Sequence, residues 1–279
     1  MDKSQHQRDR SGLGPIPLRG KTVLVTRPCQ QSEDMTRQLE AVGATVAYCP
    51  TIEVLPPNSW AQLDSSIRRI REYDWVVFTS ANGVRFFFDR LNEIETAGAE
   101  ALASAVVCAI GPATARALKQ AGVVAQVTAS DSRAEGALKE IIDHVGSEQK
   151  IQGLQFLIPR ARVAREVLPA GLRKLGARVD AVETYQTVKP EIARESILRL
   201  FNETSIDVVT FTSSSTVSNF AALVGMTDLS DLLGNILVVC IGPITAETAA
   251  SHGLNNIIQP DLYNAEALVE SIVRSIGQQ

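Results

Sequence analysis

Short apolar runs alternate with amphipathic stretches along almost the whole chain. The apolar runs are rich in Val, Ile and Leu, which is typical of strands buried on both faces of a sheet. They predict strands at 22–26, 45–48, 75–79, 105–110, 123–127, 154–158, 178–182, 207–211, 236–241 and 255–258. The amphipathic stretches predict helices at 31–42, 61–71, 82–91, 112–121, 133–145, 162–175, 190–202, 215–224, 243–252 and 264–276.

This strict alternation of strands and helices predicts an α/β protein with parallel sheets, because parallel strands need helical crossovers between them. Each half of the chain has about five strands, as in flavodoxin-like doubly wound sheets. Residues 51–57 are extended and bounded by prolines, which is typical of a linker.

The second half of the chain repeats the motifs of the first at a nearly constant distance. Val-Cys-Ala-Ile-Gly-Pro at 107–112 returns as Val-Val-Cys-Ile-Gly-Pro at 238–243. The spacing is 133 residues for Arg27/Arg160, Gly43/Gly176 and Phe78/Phe211, and 131 residues for Gly111/Gly242. Four landmarks with nearly one spacing indicate two domains related by internal duplication.

The two Gly-Pro turns are the first candidate binding elements. Gly111 and Gly242 each end an apolar run and are followed by proline, which suits the first position of a helix. The unpaired amides of such a helix start attract anions. Thr114 and Thr245 lie in the first turn of each helix, where a hydroxyl either bonds a local amide or reaches a ligand. The sequence leaves both interpretations open.

A second pair of turns carries short polar side chains. Ser80 and Asn82 in the first half correspond to Ser213 and Ser215 in the second. These residues are either helix caps or ligand contacts. Together with the Gly-Pro turns they place four helix starts at the carboxyl ends of strands, where doubly wound sheets bind ligands. Such a set suits a ligand with several anionic groups.

One tyrosine and two arginines complete the candidate site. Arg27 and Arg160 each follow the first strand of a half, and either bind a carboxylate or form a surface ion pair. Tyr185 breaks the duplication, because Ile52 stands at the equivalent position of the first half; it either has a task that the symmetry cannot supply or is an exposed aromatic residue of a linker. No Ser-His-Asp, Cys-His or paired-carboxylate arrangement stands out. The chemistry therefore needs positioning and one weak acid rather than a strong nucleophile.

Composition and charge exclude several classes of function. A net charge of −4 with scattered Lys and Arg argues against nucleic-acid binding. No apolar run approaches membrane-spanning length, so we expect no membrane association. The three histidines and four cysteines lack metal-ligand spacing, and no Gly-x-Gly-x-x-Gly or P-loop motif occurs. We therefore expect neither a metal nor a cofactor.

The polar N-terminus and the cysteines bear on where the protein works. Residues 1–17 lack the apolar centre of a signal peptide, and we interpret 1–19 as a disordered tail. Cys108 and Cys240 lie in predicted core strands, where buried thiols are inert. A reducing cytoplasm fits these features best.

The motifs together resemble the uroporphyrinogen-III synthase family over roughly residues 20–276. The resemblance rests on Val-Thr-Arg-Pro (25–28), Phe-Thr-Ser-Ala-Asn-Gly-Val (78–84), Ile-Gly-Pro-Ala-Thr-Ala (110–115), Glu-Thr-Tyr-Gln-Thr (183–187), Phe-Thr-Ser-Ser-Ser (211–215) and Ile-Gly-Pro-Ile-Thr-Ala (241–246). It implies two domains, one formed by 20–46 with 188–279 and the other by 52–182. They would be joined by a two-stranded linker at 47–51 and 183–187.

The resemblance also implies the chemistry. The family cyclises hydroxymethylbilane without a cofactor and inverts the last pyrrole ring, giving uroporphyrinogen III and water. Tyr185 matches the functional tyrosine of the family, and Thr114 and Thr245 match its Gly-x-x-Thr-Ala threonines. Ser80 and Ser213 match its cleft serines. We expect a monomer that makes transient contact with the preceding enzyme of the pathway.

The alternative from another class is a non-catalytic, two-lobed ligand-binding or sensor module of the same fold. A regulatory descendant of the enzyme would keep the fold and could lose Tyr185. Tyr185 and both threonines are present, which favours the enzyme.

Overall fold

A computed structural model describes residues 16–129 and 134–276 of the chain. Its strands are β1 (Thr22–Val25), β2 (Thr45–Tyr48), β3 (Glu53–Leu55), β4 (Trp75–Phe78), β5 (Val106–Ile110), β6 (Val127–Ala129), β7 (Gln155–Ala161), β8 (Arg178–Val188), β9 (Val208–Phe211), β10 (Leu237–Cys240) and β11 (Ile257–Ile258). Its α-helices are α1 (Glu33–Ala41), α2 (Ala61–Arg68), α3 (Ala81–Ile94), α4 (Pro112–Gln120), α5 (Ala134–Val145), α6 (Val167–Lys174), α7 (Arg194–Glu203), α8 (Ser214–Val224), α9 (Ser230–Leu233), α10 (Pro243–Ser251) and α11 (Ala265–Ile276). None of these helices is long and apolar enough to cross a membrane.

The chain divides into two compact units. Unit 1 takes in Met1–Glu53 and Lys189–Gln279, as far as these ranges are described, and unit 2 takes in Val54–Val188. The chain therefore passes from one unit to the other twice, after β2 and after β8. The first two strands of the sequence belong to the same unit as the last three.

The sheet of unit 1 has the strand order β11-β10-β9-β1-β2, and its pairs are parallel. Counted along the chain within the unit, this is the order 2-1-3-4-5 of flavodoxin-like sheets. The predicted doubly wound parallel architecture is confirmed.

The sheet of unit 2 repeats this plan with one extra strand, in the order β3-β8-β7-β4-β5-β6. Here β7 and β8 take the places of β1 and β2. The register agrees as well, because Thr22 pairs with Thr45 and Gln155 pairs with Arg178, each residue 133 positions after its counterpart. The internal duplication inferred from the sequence is therefore visible in the strand pairing.

The central strands are buried on both faces. In β4, Val76 and Phe78 pack into a cluster with α2 and α3, while Trp75 and Val77 pack on the opposite side of the sheet. The Phe78 ring lies edge-on to Phe87, with the ring centroids 5.2 Å apart. This two-sided burial explains why the strands read as continuous apolar runs.

The N-terminal tail differs from the prediction at its end. Residues 1–15 lie outside the described part of the chain. Residues 16–19 form a turn, in which the Leu18 amide donates to the Val42 carbonyl over 2.9 Å. The Leu18 side chain is fully buried in a cluster with Met35 and Leu39. An apolar side chain that reaches the core orders these residues, so a disordered tail up to residue 19 is wrong for 16–19.

Two strand boundaries also differ from the prediction. The strand predicted at 123–127 is found at Val127–Ala129. Residues 123–126 instead belong to the connection between α4 and β6, where Val124 is 76% exposed. Residues 183–187, expected as a linker, form the end of β8. They continue the ladder with β7 through the pairs Arg160–Glu183 and Ala161–Tyr185.

Candidate active site

The predicted site residues lie at or just beyond the carboxyl ends of strands in each unit. Unit 2 carries Ser80, Asn82, Gly111, Thr114, Arg160 and Tyr185, and unit 1 carries Arg27, Ser213, Ser215, Gly242 and Thr245. This is the edge at which parallel doubly wound sheets bind ligands.

Ser80 caps helix α3, as the sequence predicts. Its Oγ accepts a hydrogen bond from the Gly83 amide over 3.0 Å. Ser213 caps α8 in the same way, accepting from the Thr216 amide over 3.2 Å. These bonds satisfy the third amide of each helix and leave the amides of the first two positions without a partner in the helix itself.

The Tyr185 hydroxyl reaches the cap of α3. The Tyr185 Oη lies 3.0 Å from the Ser80 Oγ, and the residue is only 8% exposed. The ring also lies parallel to that of Phe86, with the centroids 5.9 Å apart and an angle of 10° between the planes. Two residues singled out from distant motifs are thus brought into direct contact.

A β-bulge explains why Tyr185 faces α3. Arg160 pairs with Glu183 and Ala161 pairs with Tyr185, so β8 contains one residue more than β7 at this point. The extra residue shifts the alternation of side chains by one position. Tyr185 therefore lies on the side of Val182, which packs into the cluster with α3. Thr184, the extra residue, is buried, and its hydroxyl donates to the Arg160 carbonyl over 3.1 Å.

The hydrogen bonds of Ser80 determine what the Tyr185 proton can do. A serine hydroxyl has one proton and two lone pairs. The Gly83 amide occupies one lone pair, so the Ser80 hydroxyl still has a proton to donate to the Tyr185 Oη and a second lone pair to accept from it. When Ser80 is the donor, Tyr185 keeps its own proton.

The two Gly-Pro turns have different backbones despite their similar sequences. Gly111 has φ +82° and ψ 158°, in a region that is essentially reserved for glycine. Gly242 has φ −174° and ψ 177°, an extended conformation that any residue adopts. A Cβ at Gly242 would instead meet the ring of Tyr263 at 3.2 Å. The sharp turn that the sequence predicts at both glycines is therefore confirmed in its strict form only at Gly111.

The start of α10 has fewer free amides for binding an anion than the Gly-Pro motif predicts. Pro243 has no N–H, and the Thr245 amide donates to the Gly242 carbonyl over 3.1 Å. Of the first three positions, only Ile244 has an amide outside these two constraints. The side chains of Thr114 and Thr245 are both buried at their helix starts.

The two arginines differ in their surroundings. The Arg160 side chain is 10% exposed and donates from Nη1 to Glu166 Oε1 and from Nη2 to the Ala164 carbonyl, both over 2.6 Å. It thereby holds the loop that follows β7. The Arg27 Nε donates to Gln31 Oε1 over 3.2 Å, and burial lowers the pKa of its guanidinium. A desolvated arginine favours a carboxylate partner.

Asn82 and Ser215 occupy the second position of α3 and α8 respectively. Asn82 is half-buried, and the Ser215 Oγ lies 3.0 Å from the Ser213 Oγ. Both positions carry an amide that the helix does not satisfy.

The buried cysteines should not react in the folded protein. Burial raises the pKa of Cys49 to about 11 and the pKa values of Cys108 and Cys240 to about 12, so these thiols stay protonated at neutral pH. Cys29 is exposed. We expect DTNB at pH 8 to modify one thiol rapidly in the native protein and all four after unfolding. The Cys29→Ser variant should lose the rapid signal, and a second rapid thiol would contradict the described packing.

Phe86, which contacts Tyr185, was not among the candidate residues from the sequence, and neither were Arg85 and Glu183. Arg85 places its guanidinium carbon 4.5 Å from the centre of the Phe86 ring. Arg85 Nε and Glu183 Oε1 are buried atoms that lack a hydrogen-bond partner among the described residues. The sequence did contain a signal for Phe86, because this residue follows Gly83 by three positions and so lies on the same face of the helix.

Comparison with known proteins then identifies the family. A family model described as "Uroporphyrinogen-III synthase HemD" matches residues 33–270. The chain belongs to the uroporphyrinogen-III synthase family. This confirms the resemblance found in the sequence motifs.

Individual relatives agree with this membership. A uroporphyrinogen-III synthase of Synechococcus elongatus is 34% identical, over 83% of this chain and 86% of its own length. A putative uroporphyrinogen-III synthase of Methanothermobacter thermautotrophicus is 30% identical, over 92% of this chain and 99% of its own length. The crystal structure of the Helicobacter pylori uroporphyrinogen-III synthetase shares the fold, with a TM-score of 0.57 at 15% identity, over 91% of this chain and 99% of that one.

Proposed function

We propose that this chain cyclises hydroxymethylbilane to uroporphyrinogen III, with inversion of the last pyrrole ring and loss of water. Membership of the uroporphyrinogen-III synthase family supports this activity. The observation that carries the chemistry is the Ser80–Tyr185 hydrogen bond at the carboxyl edge of the sheet of unit 2, in which Ser80 can act as the donor so that Tyr185 keeps its own proton.

The proton of Tyr185 is proposed to assist departure of the hydroxyl group. The bond between the terminal carbon and its oxygen breaks, the Tyr185 proton passes to that oxygen, and water leaves. The substrate becomes an azafulvene cation, which closes through a spiro intermediate to uroporphyrinogen III. Ring closure releases one proton, which restores the Tyr185 hydroxyl, so that the net by-product is water. A positioned general acid of this kind contributes about 10²–10⁴-fold.

The carboxylates of the substrate are proposed to bind at the helix starts. Amides in the first turns of α3 and α8 supply donors that do not depend on side-chain charge. In α4 and α10 the donors come after the first residue, because Pro112 and Pro243 have no N–H. Asn82, Gly111, Ser213, Ser215 and Gly242 belong to these helix starts, and Arg27 adds a charged donor. Arg160 would contact substrate only by leaving Glu166, so we assign it mainly to holding its loop.

The two threonines should contribute modestly. Thr114→Ala and Thr245→Ala each remove one hydroxyl, and a hydrogen bond is worth about 1 kcal/mol net. We expect each change to lower kcat/KM by about tenfold or less, because neighbouring amides take over part of the contact. Steady-state kinetics of both variants check this. A loss of several hundredfold for either would show that its hydroxyl touches the reacting ring.

The rate at which hydroxymethylbilane disappears separates an enzyme from a binding module. The purified chain, dialysed against a chelator, should accelerate the loss of freshly generated hydroxymethylbilane well beyond its spontaneous ring closure. A module that only binds the bilane would leave that rate unchanged or slow it. Activity that is lost on dialysis and restored by added metal would contradict the cofactor-free reaction.

We also propose that the protein acts as a monomer in the cytoplasm and takes its substrate through transient contact with the preceding enzyme. The support for the transient contact is chemical, because hydroxymethylbilane closes without inversion when it is left free. Sedimentation velocity of the chain should give the mass of one copy, 30.1 kDa.

A further inference from the structure

Tyr185 is held by two contacts that act on different parts of its side chain. Ser80 bonds the hydroxyl at 3.0 Å, and the Phe86 ring lies parallel to the aromatic ring in an offset stack, with the centroids 5.9 Å apart. The first contact restrains the oxygen atom, while the second restrains the plane of the ring. A stacked pair at this separation is attractive beyond the area it buries.

The position of Phe86 follows from the start of α3. A Cβ at Gly83 would lie 3.3 Å from the Pro159 carbonyl oxygen and from the Ser80 Oγ. The absence of a side chain at this residue therefore allows α3 to approach the end of β7 closely. Phe86 is one turn further along the same face, and this brings its ring against Tyr185 on β8.

The Phe86 ring is itself restrained. The Arg85 guanidinium lies over it at 4.5 Å, a distance typical of a cation–π contact. The ring is also buried. The Phe86 ring, which forms the platform for Tyr185, is consequently held in place by its own neighbours.

From this geometry we infer that Phe86 is a positioning residue for the acid: it fixes the ring plane of Tyr185 and thereby the direction of the proton-donating hydroxyl. The inference rests on the proposed function, because it assigns the orientation a role only if Tyr185 donates the proton. Small displacements of a reacting group are costly, and about 1 Å can lower a rate by about 10²-fold. Loss of the platform should therefore lower kcat while leaving substrate affinity nearly intact.

A double-mutant cycle tests this role. Phe86→Leu keeps an apolar side chain of similar reach but removes the flat ring, and Tyr185→Phe removes the proton. We expect Phe86→Leu alone to lower kcat by about tenfold with KM changed less than about twofold. In the Tyr185→Phe background the same change should alter kcat by less than about twofold, since there is no acid left to orient.

Phe86→Tyr provides the rescue arm, because it keeps a flat ring and should stay within about threefold of the wild-type kcat. If Phe86→Leu does not fold, Phe86→Met serves the same purpose. Equal losses in the two backgrounds, or no loss in the wild-type background, would overturn the positioning role while leaving the activity established. A wild-type protein without turnover would overturn the proposed function itself, and the role of Phe86 with it.

Discussion

Tyr185→Phe is expected to lower kcat by about 10²–10³-fold, because it removes the proton that assists departure of water. The ring, its stacking on Phe86 and its burial all remain. The lost hydrogen bond to Ser80 should cost only about 1 kcal/mol of stability. Trp60 and Trp75, the two tryptophans of the chain, both lie in unit 2 with Tyr185, so tryptophan fluorescence during urea unfolding measures that cost directly.

Tyr48→Phe is the matched control. Tyr48 ends β2, and its hydroxyl lies 2.6 Å from the Thr36 Oγ1, so the same chemical change again removes one hydrogen bond. We expect kcat within about twofold of wild type, because no proton is drawn from this hydroxyl. A Tyr185→Phe protein with wild-type turnover would remove Tyr185 as the acid.

Gly111→Ala is expected to lower the free energy of unfolding of unit 2 by about 2 kcal/mol, since a side chain at φ +82° and ψ 158° is strained by about 1–3 kcal/mol. The strain falls on the turn that starts α4, so kcat/KM should fall with it. The midpoint of urea unfolding, followed by tryptophan fluorescence, measures the stability term in the unit that contains the substitution.

Gly242→Ala is the counterpart produced by the duplication. Its extended backbone accepts alanine, and the new Cβ meets a Tyr263 ring that is 66% exposed and can move away. We expect Gly242→Ala to lower the free energy of unfolding by at most about 0.5–1 kcal/mol. Far-UV circular dichroism measures this change, because unit 1 contains neither tryptophan. Equal losses for the two variants would contradict the described difference between the turns.

The sequence was sufficient for the architecture because the signals were local and repeated. Apolar runs such as Trp75–Phe78 and 207–211 predicted buried strands. The 133-residue spacing predicted the duplication, which is visible in the strand registers. The Ser80 cap was likewise predictable, since a serine before an apolar helical pattern has a local partner three residues on.

The geometry around Tyr185 could not be predicted in this way. Its orientation depends on a bulge between β7 and β8, and a bulge is decided by how two strands 24 residues apart pair with each other. Phe86 looked like one more core phenylalanine, because its partner on β8 lies about a hundred residues away in sequence. The difference between Gly111 and Gly242 was hidden for the same reason, since similar motifs took different backbones in different surroundings.

The isomer that the chain produces tests the central claim most directly. Freshly generated hydroxymethylbilane is incubated with the wild-type protein, with Tyr185→Phe or without protein, and the products are oxidised and separated into isomers I and III. The proposed function predicts mainly isomer III with the wild-type protein, isomer I without protein, and a mixture shifted towards isomer I with Tyr185→Phe. Wild-type protein that yields isomer I at the spontaneous rate would contradict it.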